Sequence, residues 1–305
     1  MTTLSSKHSL LAGCIALGAW SSSALIIAFS AHITPLLLCA AASFIGFIFC
    51  LMYWFCTGSN IKEKFAMSAQ SYLVGTVGIA GYSILWICSL KLAPPFEANC
   101  INYLWPALLL LFSSRMEKIK LSALQSLSLL FSLCGVGLIF LRHWHGIENN
   151  MPNVKEGIGL FFALAAAIIW AIYSTILKKM SFKSESNAVF LLITAILSGL
   201  LSLMLEKEQS LEMLTTNILP ITLLGFTRIS YIFWDYAMKN GQQQNLAVPS
   251  YLVPVLSLSL LALFTPTPWS VTSSVGAIFI VFACLLAQWP KIMAVLKHKK
   301  AHSVA

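Results

Sequence analysis

The sequence predicts an all-α integral membrane protein in which ten transmembrane helices form two inverted five-helix repeats around a central cavity. Three observations predict it. Of 305 residues, 58% are hydrophobic and only 10% are charged, with a mean hydropathy of +0.84. A soluble domain carries about 25% charged residues, so the surplus apolar surface must face lipid. Ten segments are apolar on every side over about 20 residues, the length of a bilayer-spanning helix, whereas barrel strands would alternate apolar and polar. Finally, the chain spells Tyr-Leu-x-Pro twice, at Tyr103–Pro106 and at Tyr251–Pro254, 148 residues apart.

The first segment, 10–30, follows Lys7 and resembles a secretory leader. It reaches Phe29 with no small-x-small cleavage site, and so reads as a span that stays. Spans 34–56 and 70–92 follow, the latter with Tyr82 and Trp86 four apart on one face. Span 96–113 opens with Glu97, at home near a helix N-terminus, and carries Asn99, Asn102, Tyr103, Trp105 and Pro106. After 121–141, His143 and His145 flank Trp144 in what reads as a polar loop. Spans 157–177, 187–205, 218–238, 246–264 and 270–289 complete the set. Span 218–238 holds Arg228 at its middle and Asp235 seven residues on. On one continuous helix these two share a face, about 10.5 Å apart, which suits a water-bridged pair better than a direct one. Two readings of the charges stand: a neutralised structural pair, or a substrate-carboxylate site at Arg228 beside a proton-linked Asp235.

The loops orient the chain. With the N-terminus in the cytoplasm, inside segments hold 14 Lys and Arg and outside segments 4, with Arg228 completing the 19. Cytoplasmic loops keep the basic excess, so both termini are expected inside, with the spans alternating.

The Tyr-Leu-x-Pro echo has company at nearly constant offset. Trp20 matches Trp170 at 150; Trp86 and Lys91 match Trp234 and Lys239 at 148. Landmarks in the same order imply duplication of a five-span unit, and an odd unit enters the membrane from the opposite side the second time. The expected division is 1–145 for the first repeat, 146–290 for the second, and 291–305 for a cytoplasmic basic tail. Pro106 and Pro254 each remove a backbone hydrogen bond, freeing the carbonyls of Asn102 and Ser250 and kinking two matched helices.

Rings accumulate toward the middle of spans rather than at the interfaces where Trp and Tyr usually sit. Indole N–H and phenol O–H groups need partners that hydrocarbon cannot offer. A shared wet cavity answers that need, with Asn99, Asn102, Ser250 and tyrosine hydroxyls facing the polar end of a flat solute.

These residues carry a resemblance. Glu97 followed by NYLWPALLLLF, the SYLVPVLS stretch, LGAW-S ending at Trp20 and Ser21, IIWAIYSTI around Trp170, and Trp234 with Asn240-Gly241 resemble the drug/metabolite transporter superfamily, EamA type. The likeness is greatest to its YddG-type exporters of aromatic amino acids. It implies a basket of helices in a bacterial inner membrane, exporting Phe, Tyr, Trp and related compounds. It also implies a cavity lined by Trp20, Tyr82, Trp86, Tyr103, Trp105, Trp170 and Ser250, to which Tyr251 adds its ring. Glu97, Arg228 and Asp235 are the gating or coupling candidates; the two charges of span 218–238 depart from the family pattern.

Other classes fit less well. No span contains a histidine, and a membrane enzyme lacks a convergent nucleophile, acid and base. No cofactor is indicated, and the eight cysteines form no C-x-x-C pair that would suggest a metal or disulfide framework. Scattered basic residues point away from nucleic acid. Loops of at most about 15 residues leave little for a receptor to contact. Partners are therefore a small-molecule substrate and the lipid bilayer, with a monomer as the expected unit. The alternative substrate is another small solute: a different amino acid, a cationic drug or a nucleobase.

Overall fold

The computed structural model describes residues 2–30, 32–116, 118, 120–145, 154–207, 210–240, 250, 252–265, 271–272, 274–283, 285–286 and 289, with side chains from His8 onward; those of 142–145, Lys178 and Leu252 lie outside the description. Among them there is helix and turn but no strand. Six helices are long and apolar enough to cross a membrane: α1 (Thr2–Phe29), α2 (Pro35–Cys56), α4 (Ala69–Leu92), α7 (Ala123–His145), α8 (Val154–Ile176) and α9 (Asn187–Leu205). The short α3 (Ile61–Phe65) precedes α4, and α10 (Leu211–Thr216) follows α9. The remaining apolar segments are α5 (Pro95–Asn102), α6 (Trp105–Met116), α11 (Ile218–Arg228), α12 (Ser230–Asn240), α13 (Leu252–Phe264) and α14 (Ser274–Ala283).

The exterior of the bundle is apolar. Leu203, Met204, Phe226 and Leu263 are all more than 60% exposed, a pattern that belongs against lipid. The seven cysteines among the described residues are all free thiols, and Cys284 lies outside the description.

Helix ends are finished with specific groups. Proline opens α2 and α5, where its missing N–H would have had no partner anyway. At α2 the Glu206 carboxylate, arriving from the end of α9, accepts from Leu36 N (2.7 Å), Leu37 N (3.1 Å) and Thr34 Oγ1 (2.6 Å). An anion at a helix N-terminus meets free N–H groups and the positive end of the dipole. Beyond the other ends, the short α3 that follows α2 is joined to the turn before α9 through Lys64 to Glu185 and through Lys183 to Glu63. Helices α2 and α9 pack along their length, and this pair is clasped at both ends.

The packing partners fall into matched sets. Helix α1 packs against α12 and α13, while α8 packs against α4 and α6. Helices α7 and α14 cross at two glycines: a Cβ on Gly135 would lie 2.6 Å from the Gly276 carbonyl, and one on Gly276 would lie 2.8 Å from that of Gly135. Small residues let backbones approach where lipid supplies no hydrophobic drive between helices.

Three sequence expectations change here. Pro106 does not kink one continuous helix. The chain breaks at Tyr103 and Leu104, with Leu104 N bonded to Ile101 O at 3.0 Å, and Pro106 stands second in the new helix α6. There the absent N–H disrupts nothing. Second, span 218–238 breaks at Ile229, so Arg228 and Asp235 do not ride on one regular helix and make no ion pair. Third, helix α7 continues through His145 rather than ending in a polar loop at 142. Pro254 stands third in α13, and Tyr251 before it lies outside the described residues.

Helix α4 has an irregularity of its own. Residues Thr76–Gly81 form a π-helical turn, and a Cβ on Gly78 would meet the Tyr173 ring of α8. The wide turn and the missing side chain together bring the two helices into contact. Such bulges often mark functional positions.

Candidate solute cavity

Helices α1, α4, α5, α6, α8, α11, α12 and α13, with the turn at Tyr103, surround a cavity of about 30 Å³, room for one or two waters. Small-molecule sites span about 300–1,000 Å³, so the rings close this space and a solute requires them to part. Its walls are Trp20 and Ser23; Tyr82 and Trp86; Asn99, Asn102, Tyr103 and Trp105; Trp170; Leu224, Thr227, Arg228 and Tyr231; and Val253.

Eight of the ten expected solute-contacting residues meet there: Trp20, Tyr82, Trp86, Asn99, Asn102, Tyr103, Trp105 and Trp170. Ser250 is buried but absent from this wall, and Tyr251 lies outside the described residues. Of the charged candidates, Arg228 lines the cavity, while Glu97, 3% exposed in the first turn of α5, and Asp235 do not. Sequence reasoning missed Ser23, Leu224, Thr227, Tyr231 and Val253. Two of them carried a signal: Leu224 and Tyr231 stand four before and three after Arg228, the helical spacing that shares its face.

The rings form one continuous cluster. Trp20 meets Trp170 edge-on at 5.3 Å and Trp234 at 5.2 Å; Tyr82 lies 4.9 Å from Trp170 and stacks on Trp86 at 6.0 Å; Trp105 meets Trp234 edge-on at 5.6 Å. These separations suit the ring quadrupoles and add stabilisation beyond burial. The stack of Tyr82 on Trp86 follows from their spacing of four on α4.

Polar groups punctuate this wall. Arg228 donates from Nη1 to Ser83 Oγ at 2.8 Å and reaches Cys39 Sγ with Nη2 at 3.9 Å, yet its Nε has no partner. Trp86 Nε1 and Asn102 Oδ1 are likewise buried and unpartnered. Asn99 donates to Ser257 Oγ at 2.9 Å. Two N–H donors and one carbonyl acceptor thus remain unmatched on one cavity, where lone polar groups are costly. Among the described residues, Arg228 is the only charged side chain in the wall.

Asp235 belongs to a separate layer. Its Oδ2 accepts from Tyr173 OH at 2.8 Å and from Asn187 Nδ2 at 2.6 Å, joining α12 to α8 and α9. Asn187 also donates to the Tyr231 carbonyl at 3.2 Å.

An apolar exterior around a small cavity lined by rings and polar groups defines the class: a multi-pass membrane protein with a polar, aromatic interior. Comparison with known proteins supplies the family. The model of the EamA-like transporter family matches residues 8–141 and again 157–289. The chain belongs to the EamA-like transporter family, and it is a transporter. It is similar to the aromatic amino acid exporter YddG of Ancylobacter novellus, 31% identical over 85% of this chain and 89% of that one. The exporter YddG of Salmonella typhimurium is 28% identical over 93% of this chain and 97% of that one. A crystal structure of a protein 27% identical superimposes with a TM-score of 0.70, covering 92% of this chain and 97% of the other.

Proposed function

We propose that this protein exports the aromatic amino acids Phe, Tyr and Trp across a bacterial inner membrane by alternating access. The observation that carries the reading is the ring-lined cavity with its unmatched Arg228 Nε, Trp86 Nε1 and Asn102 Oδ1. A flat side chain stacks on Trp105, Trp170 and Tyr82. Its carboxylate takes the two N–H donors, and its ammonium group takes the Asn102 oxygen. Lone cations are the poorer substrates, because Arg228 repels them and no described acid lines the wall. The names of the similar exporters support the same solute class.

The halves 1–145 and 146–290 act as inverted repeats of five spans each, with both termini and the tail 291–305 in the cytoplasm. The double family match supports the repeat, as does the exchange of partners between α1 and α8. Lys91 donates to Ser30 O and Lys239 to Phe182 O, so matched lysines bond the chain after matched first helices. Matched positions also touch each other: Trp20 with Trp170, and Ser83 with Tyr231 at 3.4 Å, as positions beside a two-fold axis would.

Phe and Thr efflux from the same proteoliposomes tests the proposal. Stacking is worth about 0.5–1.5 kcal/mol per aromatic pair, so Trp105→Ala or Trp170→Ala should weaken Phe by roughly tenfold and Thr far less. Equal losses for both would assign these rings to the fold and remove the substrate assignment.

A further inference from the structure

The layer around Asp235 is incomplete in a specific way. Asp235 and Asn187 are each fully buried, and each has one oxygen bonded to nothing: Oδ1 of the acid and Oδ1 of the amide. The other halves of the two groups already face each other through Asn187 Nδ2 and Asp235 Oδ2. When the hydrogen an amide donates to a carboxyl oxygen is the one syn to its own oxygen, that oxygen turns toward the other carboxyl oxygen. Both orphans are acceptors, so they cannot satisfy each other as they stand. One proton on Asp235 Oδ1 converts it to a donor and closes a cyclic acid–amide pair. Asp235 Oδ2 then serves as a neutral carbonyl receiving Tyr173 OH and Asn187 Nδ2, and each of these polar atoms has a partner.

We propose that Asp235 and Asn187 form a proton-binding site, and that the protonated pair latches α8, α9 and α12 together beside the cavity. The balance is simple: a proton from water adds to the carboxylate, and none of the heavy-atom bonds changes. The latch adjoins the cavity wall, because Tyr173 packs 5.5 Å from Trp170, and Tyr231 stands one turn before Asp235. Without the proton, the anion keeps two hydrogen bonds at Oδ2 but sets its bare Oδ1 and the Asn187 oxygen together unmatched, a cost that falls once water reaches them. Protonation therefore favours the closed layer and ionisation favours its parting. This consequence for transport rests on the carrier reading above; the proton site itself does not.

The other titratable groups around this layer are few. On the same broken span, Lys239 one turn on donates to Phe182 O and lies over the Phe182 ring, Tyr231 meets Ser83, and Arg228 faces the cavity. From the elements packed against α12, α8 supplies Tyr173 and α1 Cys14. The turn after α8 supplies the exposed Lys179, and the turn before α9 supplies Glu185, held by Lys64. None of these closes the Asp235–Asn187 pair.

Infrared difference spectroscopy of the purified protein between neutral and alkaline pH reads the site without any substrate. Wild type should show a carboxylic-acid carbonyl band that is lost in Asp235→Asn and shifted in Asn187→Leu, where the acid has no amide partner. No such band in wild type, or a band unchanged in both variants, overturns the proposal; if Asp235→Asn does not fold, wild type and Asn187→Leu decide. In proteoliposomes, Phe efflux should vary with pH in wild type and lose that dependence in Asp235→Asn. Unchanged dependence overturns the latch. A wild type that shows the band and moves no aromatic amino acid removes the export reading and leaves the proton site in place.

Discussion

The third and eighth apolar segments, α4 and the broken α11–α12, are alike in frame and opposite in content. At an offset of 148, Trp86 faces its match in Trp234 and Lys91 in Lys239. Even the irregularities coincide: the π turn of α4 ends at Gly81, and the break between α11 and α12 falls at Ile229, which is 81 + 148. Yet Ala80 stands where the second segment has Arg228, and Ile87 where it has Asp235. Arg228 and Asp235 therefore have no charged counterpart at the matched positions of α4. A symmetric scaffold can carry an asymmetric site, and charges inside a bilayer are kept where they have a task.

The largest expected effect falls on the charge that faces the cavity. Arg228→Leu should weaken Phe binding by roughly 10- to 100-fold, since a hydrogen bond to a charged group is worth about 1.5–3 kcal/mol. Thermal unfolding of the solute-free variant should move little or upward. Unchanged Phe affinity would make Arg228 a structural remnant and leave the two segments functionally equal.

Next comes the shared frame. Gly78→Val drives a side chain into the Tyr173 ring, and overpacking of this kind costs about 1–3 kcal/mol. A lowered unfolding temperature in detergent checks it, and a neutral result would mean that the π turn yields freely.

A smaller effect compares the matched lysines directly. Lys91→Met and Lys239→Met each remove a charged donor from a loop carbonyl, worth about 1.5 kcal/mol, the low end for such a bond. The two losses should agree within a few tenths of a kcal/mol, with Lys239 slightly the larger because its ammonium also lies 3.7 Å from the Phe182 ring centroid. A wide gap would break the equivalence of the segments.

The smallest effect is at the rim. Lys183 and Glu63 are 66% and 58% exposed, so Lys183→Ala should change stability by no more than about 0.5 kcal/mol, and added salt should erase the difference.

How much of this was legible in the residues depends on the length scale of the cause. Composition and run length sufficed for an all-helical membrane protein, because lipid admits only backbones that satisfy themselves locally. The constant offset between Trp86 and Trp234 and between Lys91 and Lys239 was visible in the residues, and eight of the ten residues chosen as solute contacts meet at one cavity. Aromatic side chains far from the interfaces have few other places to go.

What the tertiary structure decided was the behaviour of the polar residues. Span 218–238 reads as one helix, so Arg228 and Asp235 seemed to share a face; no proline or glycine marks the break at Ile229. Their separation into a cavity wall and a buried layer comes from Ser83, Cys39, Tyr173 and Asn187, which are distant in sequence. Local sequence sets whether a backbone can be helical and whether its surface can face lipid. A buried charge takes its partner from whichever helix packs beside it, and that is settled only when the helices assemble.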